Sequence, residues 1–305
     1  MRAVLLPAVS LVALLMAGCG DGPLPRHEPV AGAATQSAPP PPSPSPPAAP
    51  LALPVPPGVT AGVIVFDRQT GASPVQLNPT VQFRTASLVK LLIVLDHLWD
   101  RGPAYEVPAA ERPRLDVMLR SSDDAAATHF WNRNGRRDVV SRMAARLGLR
   151  ETQPPPAAQP GFWGYTATSA ADMLRVYRYL LDSAPAPVRD YVMGNLHQHT
   201  RCGTDRYDQS FGIPSAFGRP SAVKQGWSGF GDRPANPCAQ PVGWTPVRYA
   251  GPDMSAEVLH TTGTVGATDR VIVVVLSAHP GGTPFATAAS RITGLTAALA
   301  PVVPR

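Results

Sequence analysis

Only two lysines, Lys90 and Lys224, occur in this 305-residue chain, against twenty-five arginines. Arginine serves a protein surface as well as lysine does but keeps its proton, whereas a buried lysine can release it and act as a base. Two positions held as lysine in an arginine-rich chain therefore point to amine chemistry. Lys90 closes Ser87-Leu88-Val89-Lys90. A serine and a lysine three residues apart on a helix share one face, so the amine can reach the hydroxyl. A neutral amine there would take the serine proton and convert a poor nucleophile into one able to attack a carbonyl, and a second cation such as Lys224 would favour that neutral form. Lys224 opens Lys224-Gln225-Gly226, followed by Trp227, and Ser122-Asp123-Asp124 lies between the two lysines.

These residues need a scaffold that brings three distant segments together. Ala61 to Asp67 has the β-branched composition of a buried strand, followed by a turn around Gly71 and a second short strand near Pro74 to Leu77. Ala86 to Trp99 carries an apolar run too long for a strand, which predicts a buried helix opened by Ser87 and ended near Gly102-Pro103. Further helices are expected at 112–119, 124–131, 138–147 closed by Gly148, 169–181 with Ser169 as cap, and from Pro187 to about His199. A proline-rich loop interrupts them at 152–168. Strand patterns return at 222–227, 255–264 and 270–278, and a last helix spans 284–299. Strands at both ends around a helical middle imply an α/β sandwich whose terminal strands share one antiparallel sheet.

Taken in this order, Ser-x-x-Lys, Ser-Asp-Asp and Lys-Gln-Gly resemble the three motifs of the class A β-lactamases and penicillin-binding DD-peptidases, over roughly 61–299. The resemblance implies an α/β fold, an antiparallel sheet flanked by helices plus an all-helical lobe, with the active site between them. It implies Ser87 as nucleophile, Lys90 as its base and Ser122 as proton donor to the leaving group. Asp124, Lys224, Gln225, Gly226 and Trp227 would contact substrate, with the backbone N–H groups of Ser87 and Trp227 forming an oxyanion hole. Ser221-Ala222-Val223-Lys224 also matches Ser-x-x-Lys, but Gly226 follows it and no helix opens there, so Ser221 reads as a strand residue.

Three departures from the family pattern stand out. Asp124 replaces an asparagine and, when ionised, only accepts hydrogen bonds, so it could pair with Lys90 and weaken that lysine as a base. Gln225 replaces the threonine or serine that binds a substrate carboxylate. Between Ala125 and Thr168 the only acids are Asp138 and Glu151, and Glu151 lacks the Glu-x-x-Leu-Asn setting of a deacylating glutamate, so an ordinary surface carboxylate is the simpler reading. Trp163, Tyr165, Trp227 and Phe230 either line a cleft or pack around the loop. A related esterase type needs Tyr-x-Asn as second motif, which does not occur here.

The chain opens with Arg2, an apolar stretch to Ala17 and Gly18-Cys19, shorter than the ~20 residues of a membrane span. Leu15-Met16-Ala17-Gly18-Cys19 resembles the lipobox of a bacterial lipoprotein signal, which implies cleavage after residue 18 and lipidation of Cys19. Eleven of the thirty-seven prolines fall between Pro39 and Pro57, where an extended polyproline tether could reach roughly 60 Å from a membrane. The expected organisation is a signal peptide at 1–18, a tether at 19–57 and one hydrolase domain at 58–305, facing the extracytoplasmic space. With Cys19 lipidated, Cys202 and Cys238 remain as a disulfide pair. His197, His199 and Cys202 form a compact cluster, but no fourth ligand stands at convincing spacing for zinc, and no cofactor is implied. The formal charge of +6 suits an envelope polymer better than nucleic acid, which a secreted address excludes. The expected ligand is a β-lactam or a peptidoglycan stem peptide. The competing expectation is a catalytically degenerate lipoprotein that keeps the cleft to bind cell-wall ligands or a protein partner.

Overall fold

The computed structural model describes residues 51–101, 106–239 and 256–304. The signal segment, Cys19 and the tether as far as residue 50 lie outside the described residues. The described chain begins its first strand, β1, at Thr60–Asp67 and turns into β2 at Ala72–Leu77. A two-residue strand β3, Phe83–Arg84, leads through a 3₁₀ turn, Ala86–Leu88, into α1, Val89–Leu98. The helical part continues with α2 (Arg112–Arg120), α3 (Asp124–Arg133) and α4 (Arg137–Leu147). After the proline-rich loop come β4 (Ala167–Thr168), α5 (Ala170–Arg178), a wider π-type turn at Tyr179–Ser183, and α6 (Ala186–His197). The chain then forms a short α7 (Ile213–Phe217), strands β5 (Ser221–Ser228), β6 (Glu257–Val265) and β7 (Val271–His279), and α8 (Phe285–Ala297).

The five long strands form one antiparallel sheet in the order β2-β1-β7-β6-β5. The N-terminal hairpin thus pairs with the last strand of the domain, as strands at both ends of the sequence require. Alternate residues of each strand face opposite sides. Ile64, Phe66, Ile272, Val274 and Leu276 point into the helical lobe. Val63, Val65, Val271, Val273 and Val275 point toward α7 and α8. Helix α1 runs through the larger core with Leu91, Ile93 and Val94 fully buried, where removing one such side chain typically costs about 2–5 kcal/mol.

Helix caps follow the sequence. Ser169 accepts the N–H of Asp172 at 3.2 Å, and Gly148 ends α4 in the left-handed region at φ 63°. The expected helix at 169–181 is instead α5 followed by the π-type turn, and the expected helix at 86–99 splits at Val89. The pair β3–β4 and helix α7 were not foreseen, because two-residue strands and a five-residue helix carry too little periodicity to show. The β3–β4 pair matters, since with the Thr85 N–H to Thr166 carbonyl bond of 2.7 Å it ties the Ser87 turn to the proline-rich loop.

Imidazoles inside the sheet give the fold an acid limit. His260 on β6 is fully buried, its Nε2 2.8 Å from the Arg84 carbonyl and its Nδ1 accepting the Ser277 N–H at 3.2 Å. Burial above all pulls its pKa down to about 4 from 6.5, so the folded protein holds it neutral. The unfolded chain binds that proton first. Its stabilising contribution is therefore complete above pH 6.5 and declines as the pH falls from 6.5 toward 4, a loss on the order of 3 kcal/mol. Denaturant melts at pH 7.0 and 4.5 should show this decrease, and His260→Gln should flatten it.

Candidate active site

The turn that holds Ser87 sits against β5, the edge strand of the sheet, and Gly226 lets it come close. A Cβ at Gly226 would stand 2.9 Å from the Thr85 carbonyl oxygen and 3.2 Å from Leu88 Cγ. Backbone cannot step aside as a flexible side chain does. Gly226→Ala should push β5 away from the Ser87 turn, lowering stability by about 1–3 kcal/mol and loosening the site. Thermal melts together with any serine-labelling rate would read both effects.

Ser122 arrives from the α2–α3 connection. Asp123 takes the capping role on α3, accepting the Ala126 N–H at 2.6 Å, which leaves the side chains of Ser122 and Asp124 free for the cleft. Ser122 has φ 59°, uncommon for a residue other than glycine, and Ala86 beside the expected nucleophile has φ 45°. The 200–209 loop holds this connection in place: Gln209 Nε2 donates to the Arg120 carbonyl at 2.7 Å, and the Thr204 N–H to the Ser121 carbonyl at 2.9 Å. That loop is itself fastened by a disulfide, Cys202 to Cys238, with Cα atoms 5.6 Å apart. Cys202 is thereby committed to sulfur and unavailable as a thiolate ligand beside His197 and His199.

Five side chains from these segments meet. Lys90 Nζ donates to Ser87 Oγ at 2.8 Å, to the Ser122 carbonyl at 2.5 Å and to Asp124 Oδ1 at 2.7 Å, with Ser122 Oγ at 3.3 Å. Lys224 Nζ donates to the same Ser122 Oγ at 2.7 Å and to the Gln225 carbonyl at 3.3 Å. Both lysines are buried, while Asp124 is 47% exposed and marks the open side. Trp163 lies over Lys90, its ring centre 4.8 Å from Nζ, and its indole N–H donates to Thr128 Oγ1 at 3.1 Å. Burial first, and the neighbouring Lys90 ammonium second, hold Lys224 well below the ordinary lysine range.

Other sequence expectations find different places. Gln225 is turned the opposite way from its neighbour Lys224, as strand alternation dictates. It is buried, and its Nε2 donates to the carbonyls of Gln209 at 3.0 Å and Phe211 at 2.6 Å. This corrects the expectation that its side chain contacts substrate, since the amide is spent on the backbone behind the sheet. The Trp227 side chain is also buried and donates its indole N–H to Asp205 Oδ2 at 2.8 Å. Phe230 packs edge-on against Phe285 of α8 with ring centres 5.3 Å apart, and the Arg84 guanidinium lies 5.7 Å from the Tyr165 ring centre. Glu151 is held by its backbone, with its N–H on Asp172 Oδ2 at 2.7 Å and its carbonyl accepting from Gln82 at 2.8 Å. Among the described residues no hydrogen bond joins its carboxylate to Ser87, Lys90 or Ser122.

Sequence reasoning passed over Asp205. Burial, with a smaller push from Asp124, raises its carboxyl to about 6. Its only sequence signal is a turn, Gly203-Thr204-Asp205-Arg206, of a kind found on most surfaces. Pairing with an indole 22 residues downstream is a property of the fold.

No protein-family model matches the chain. It is 36% identical over 241 residues to LppW of Mycobacterium tuberculosis, a protein named as a lipoprotein, with 77% of this chain and 68% of LppW covered, and equally to LppW of Mycobacterium bovis. The fold is similar to PBP-A at 17% identity, covering 82% of this chain and 92% of that one with a TM-score of 0.59. A mutant of PBP-A solved as an acyl-enzyme complex with penicillin G aligns equally well over 81% and 90% of the two chains. The class A β-lactamase of Mycobacterium abscessus follows at 15% identity, TM-score 0.56 and coverage of 80% and 94%. The likeness to those solved structures is one of fold, while the extended sequence match lies with LppW. The chain belongs to the LppW lipoprotein family and carries the fold of PBP-A and the class A β-lactamases.

Proposed function

We propose that this protein is a lipid-anchored, extracytoplasmic serine acyl-transfer enzyme acting on β-lactam or peptidoglycan-type amide carbonyls. One observation carries the reading: Lys90 Nζ stands 2.8 Å from Ser87 Oγ and 3.3 Å from Ser122 Oγ, with Lys224 Nζ 2.7 Å beyond. A hydroxyl hydrogen-bonded to an amine can be activated for attack, and a second hydroxyl on the same amine can return the proton to a leaving nitrogen. Ser87 Oγ attacks the carbonyl carbon, the C–N bond breaks as Ser122 supplies a proton to the nitrogen, and an ester on Ser87 remains. The described site offers no carboxylate bonded to Ser87 that would activate water, so the ester is expected to persist. Lipidation at Cys19, the signal at 1–18 and the tether at 19–57 belong to the same proposal, which sets the 58–305 domain near the cell-wall layer. Among the described residues no helix is long and apolar enough to cross a membrane.

The test is intact-mass measurement of the folded protein after exposure to a penicillin. A stable adduct on wild type that vanishes in Ser87→Ala is expected; a folded wild type without adduct, or an adduct surviving in Ser87→Ala, removes the proposal. The inward turn of Gln225 favours a second reading, a binding lipoprotein that holds stem peptides without turnover. Muropeptide binding unchanged by Ser87→Ala, with no adduct on wild type, would select it.

A further inference from the structure

Two lysine nitrogens converge on one hydroxyl. Lys90 Nζ and Lys224 Nζ lie 3.3 Å and 2.7 Å from Ser122 Oγ, and both side chains are buried. Two buried cations so close repel each other in a medium that screens poorly, and the pair is relieved when one releases its proton. Their surroundings decide which one. Lys90 touches a carboxylate, Asp124, at 2.7 Å and the Ser122 carbonyl at 2.5 Å, both of which favour an ammonium. Lys224 has no carboxylate within hydrogen-bond distance among the described residues, and its bonds run to Ser122 Oγ and, at 3.3 Å, to the Gln225 carbonyl.

We propose that Lys90 is the charged member of the pair and Lys224 the neutral amine, so that the Ser87 proton passes along Lys90 and Ser122 and comes to rest on Lys224. This rests on the acyl-transfer reading above and reverses the roles expected from the motifs, where the lysine next to the serine is the final base. Each hop has its distance: 2.8 Å from Ser87 Oγ to Lys90 Nζ, 3.3 Å on to Ser122 Oγ and 2.7 Å on to Lys224 Nζ. As Ser122 gives its proton to Lys224, it takes one from the Lys90 ammonium. The amine so formed removes the proton of Ser87 while Oγ bonds to the carbonyl carbon and the carbonyl π pair moves onto oxygen. When the carbonyl re-forms and the C–N bond breaks, Ser122 hands its proton to the leaving nitrogen and is refilled from Lys224. Lys90 starts and ends as an ammonium, and Lys224 starts and ends neutral.

The groups facing Lys224 are Lys90 from α1, Asp124 from α3, Tyr177 from α5, His199 after α6 and Asp205 from the 203–207 turn. The two carboxylates favour the charged Lys224, while burial and Lys90, the leading influences, oppose it. Asp124 is the residue that sets the order, because among the described residues it is the one carboxylate hydrogen-bonded to either lysine.

The composition makes the test direct, since lysine labelled at the ε position gives two NMR signals in the full chain. Lys90 is assigned by its contact with the Trp163 ring, with no need of a variant. At pH 7 the signal without that contact is expected at the position of a neutral amine, and the Lys90 signal at that of an ammonium. A neutral Lys90, or two ammonium signals at pH 8, overturns the proposal. Asp124→Asn should bring Lys90 to lose its proton at a lower pH than in wild type, and an unmoved Lys90 titration also overturns it. In wild type the rate of penicillin labelling should fall tenfold per pH unit below the titration of Lys224; a limb that follows Lys90 instead refutes the path. Absence of any labelling with the NMR order intact would remove the acyl-transfer reading and leave the charge assignment standing.

Discussion

Lys90→Ala is expected to reduce penicillin labelling of Ser87 by about 10²–10⁴-fold, the range carried by a positioned proton-transfer group, and to destabilise the domain as well. Lys90 Nζ is the one atom that bonds Ser87, Asp124 and the Ser122 backbone together. Without it the buried Ser87 hydroxyl and the Ser122 carbonyl lose a donor while Asp124, nearly half exposed, turns to water, a loss of about 1–3 kcal/mol. The two effects separate experimentally. Denaturant titration gives the stability change, and labelling measured well below the melting point gives the chemical one. A variant as stable as wild type that labels at the wild-type rate would show that Lys90 only fills space. Lys90→Arg keeps a cation for Asp124, so it should recover stability in part and labelling not at all, because a guanidinium cannot release the proton that must move.

The same residues show what a sequence discloses and what it withholds. Lys90 and Lys224 declared themselves by scarcity, and Ser87 and Ser122 by spacing from them, because those are properties of one chain read in order. The helical middle and the sheet joining both ends were legible for a related reason: long apolar runs fix an element's type, and β-branched segments at both ends must pair to bury their faces. A motif position does not disclose which face of a strand a residue takes, and Gln225 lies on the face opposite Lys224. In a strand a side chain one residue along points through the sheet, and here it finds the Gln209 and Phe211 carbonyls. Asp205 was invisible because its partner Trp227 is reached only across the disulfide-fastened loop. The pairing of Asp124 with Lys90 follows from its charge, whereas the cap that Asp123 makes on α3, freeing its neighbours, is decided by backbone geometry.

Asp124→Asn carries the second large effect, and its sign is opposite. Asparagine is nearly the same shape, keeps an oxygen for Lys90, and removes the one carboxylate that, among the described residues, bonds to either lysine. Losing that charge makes the proton on Lys90 easier to release, so the amine in direct contact with Ser87 can serve as base without the detour to Lys224. The new amide also supplies an N–H donor toward the cleft, where the carboxylate could only accept. Because Asp124 is nearly half exposed, the folded structure should tolerate the exchange, with a stability change within about 1 kcal/mol. Labelling of Ser87 at pH 7 should therefore become faster, by roughly 10–100-fold if the direct base recovers part of an ordinary proton-transfer contribution. Stopped-flow or gel-based labelling of the two proteins across pH 5 to 9 decides the matter. A gain concentrated at low pH, where wild type is limited by protonation of Lys224, fits the charge assignment. A variant slower than wild type at every pH would mean that the Asp124 carboxylate is needed as a charge, and that the departure from asparagine has been put to use.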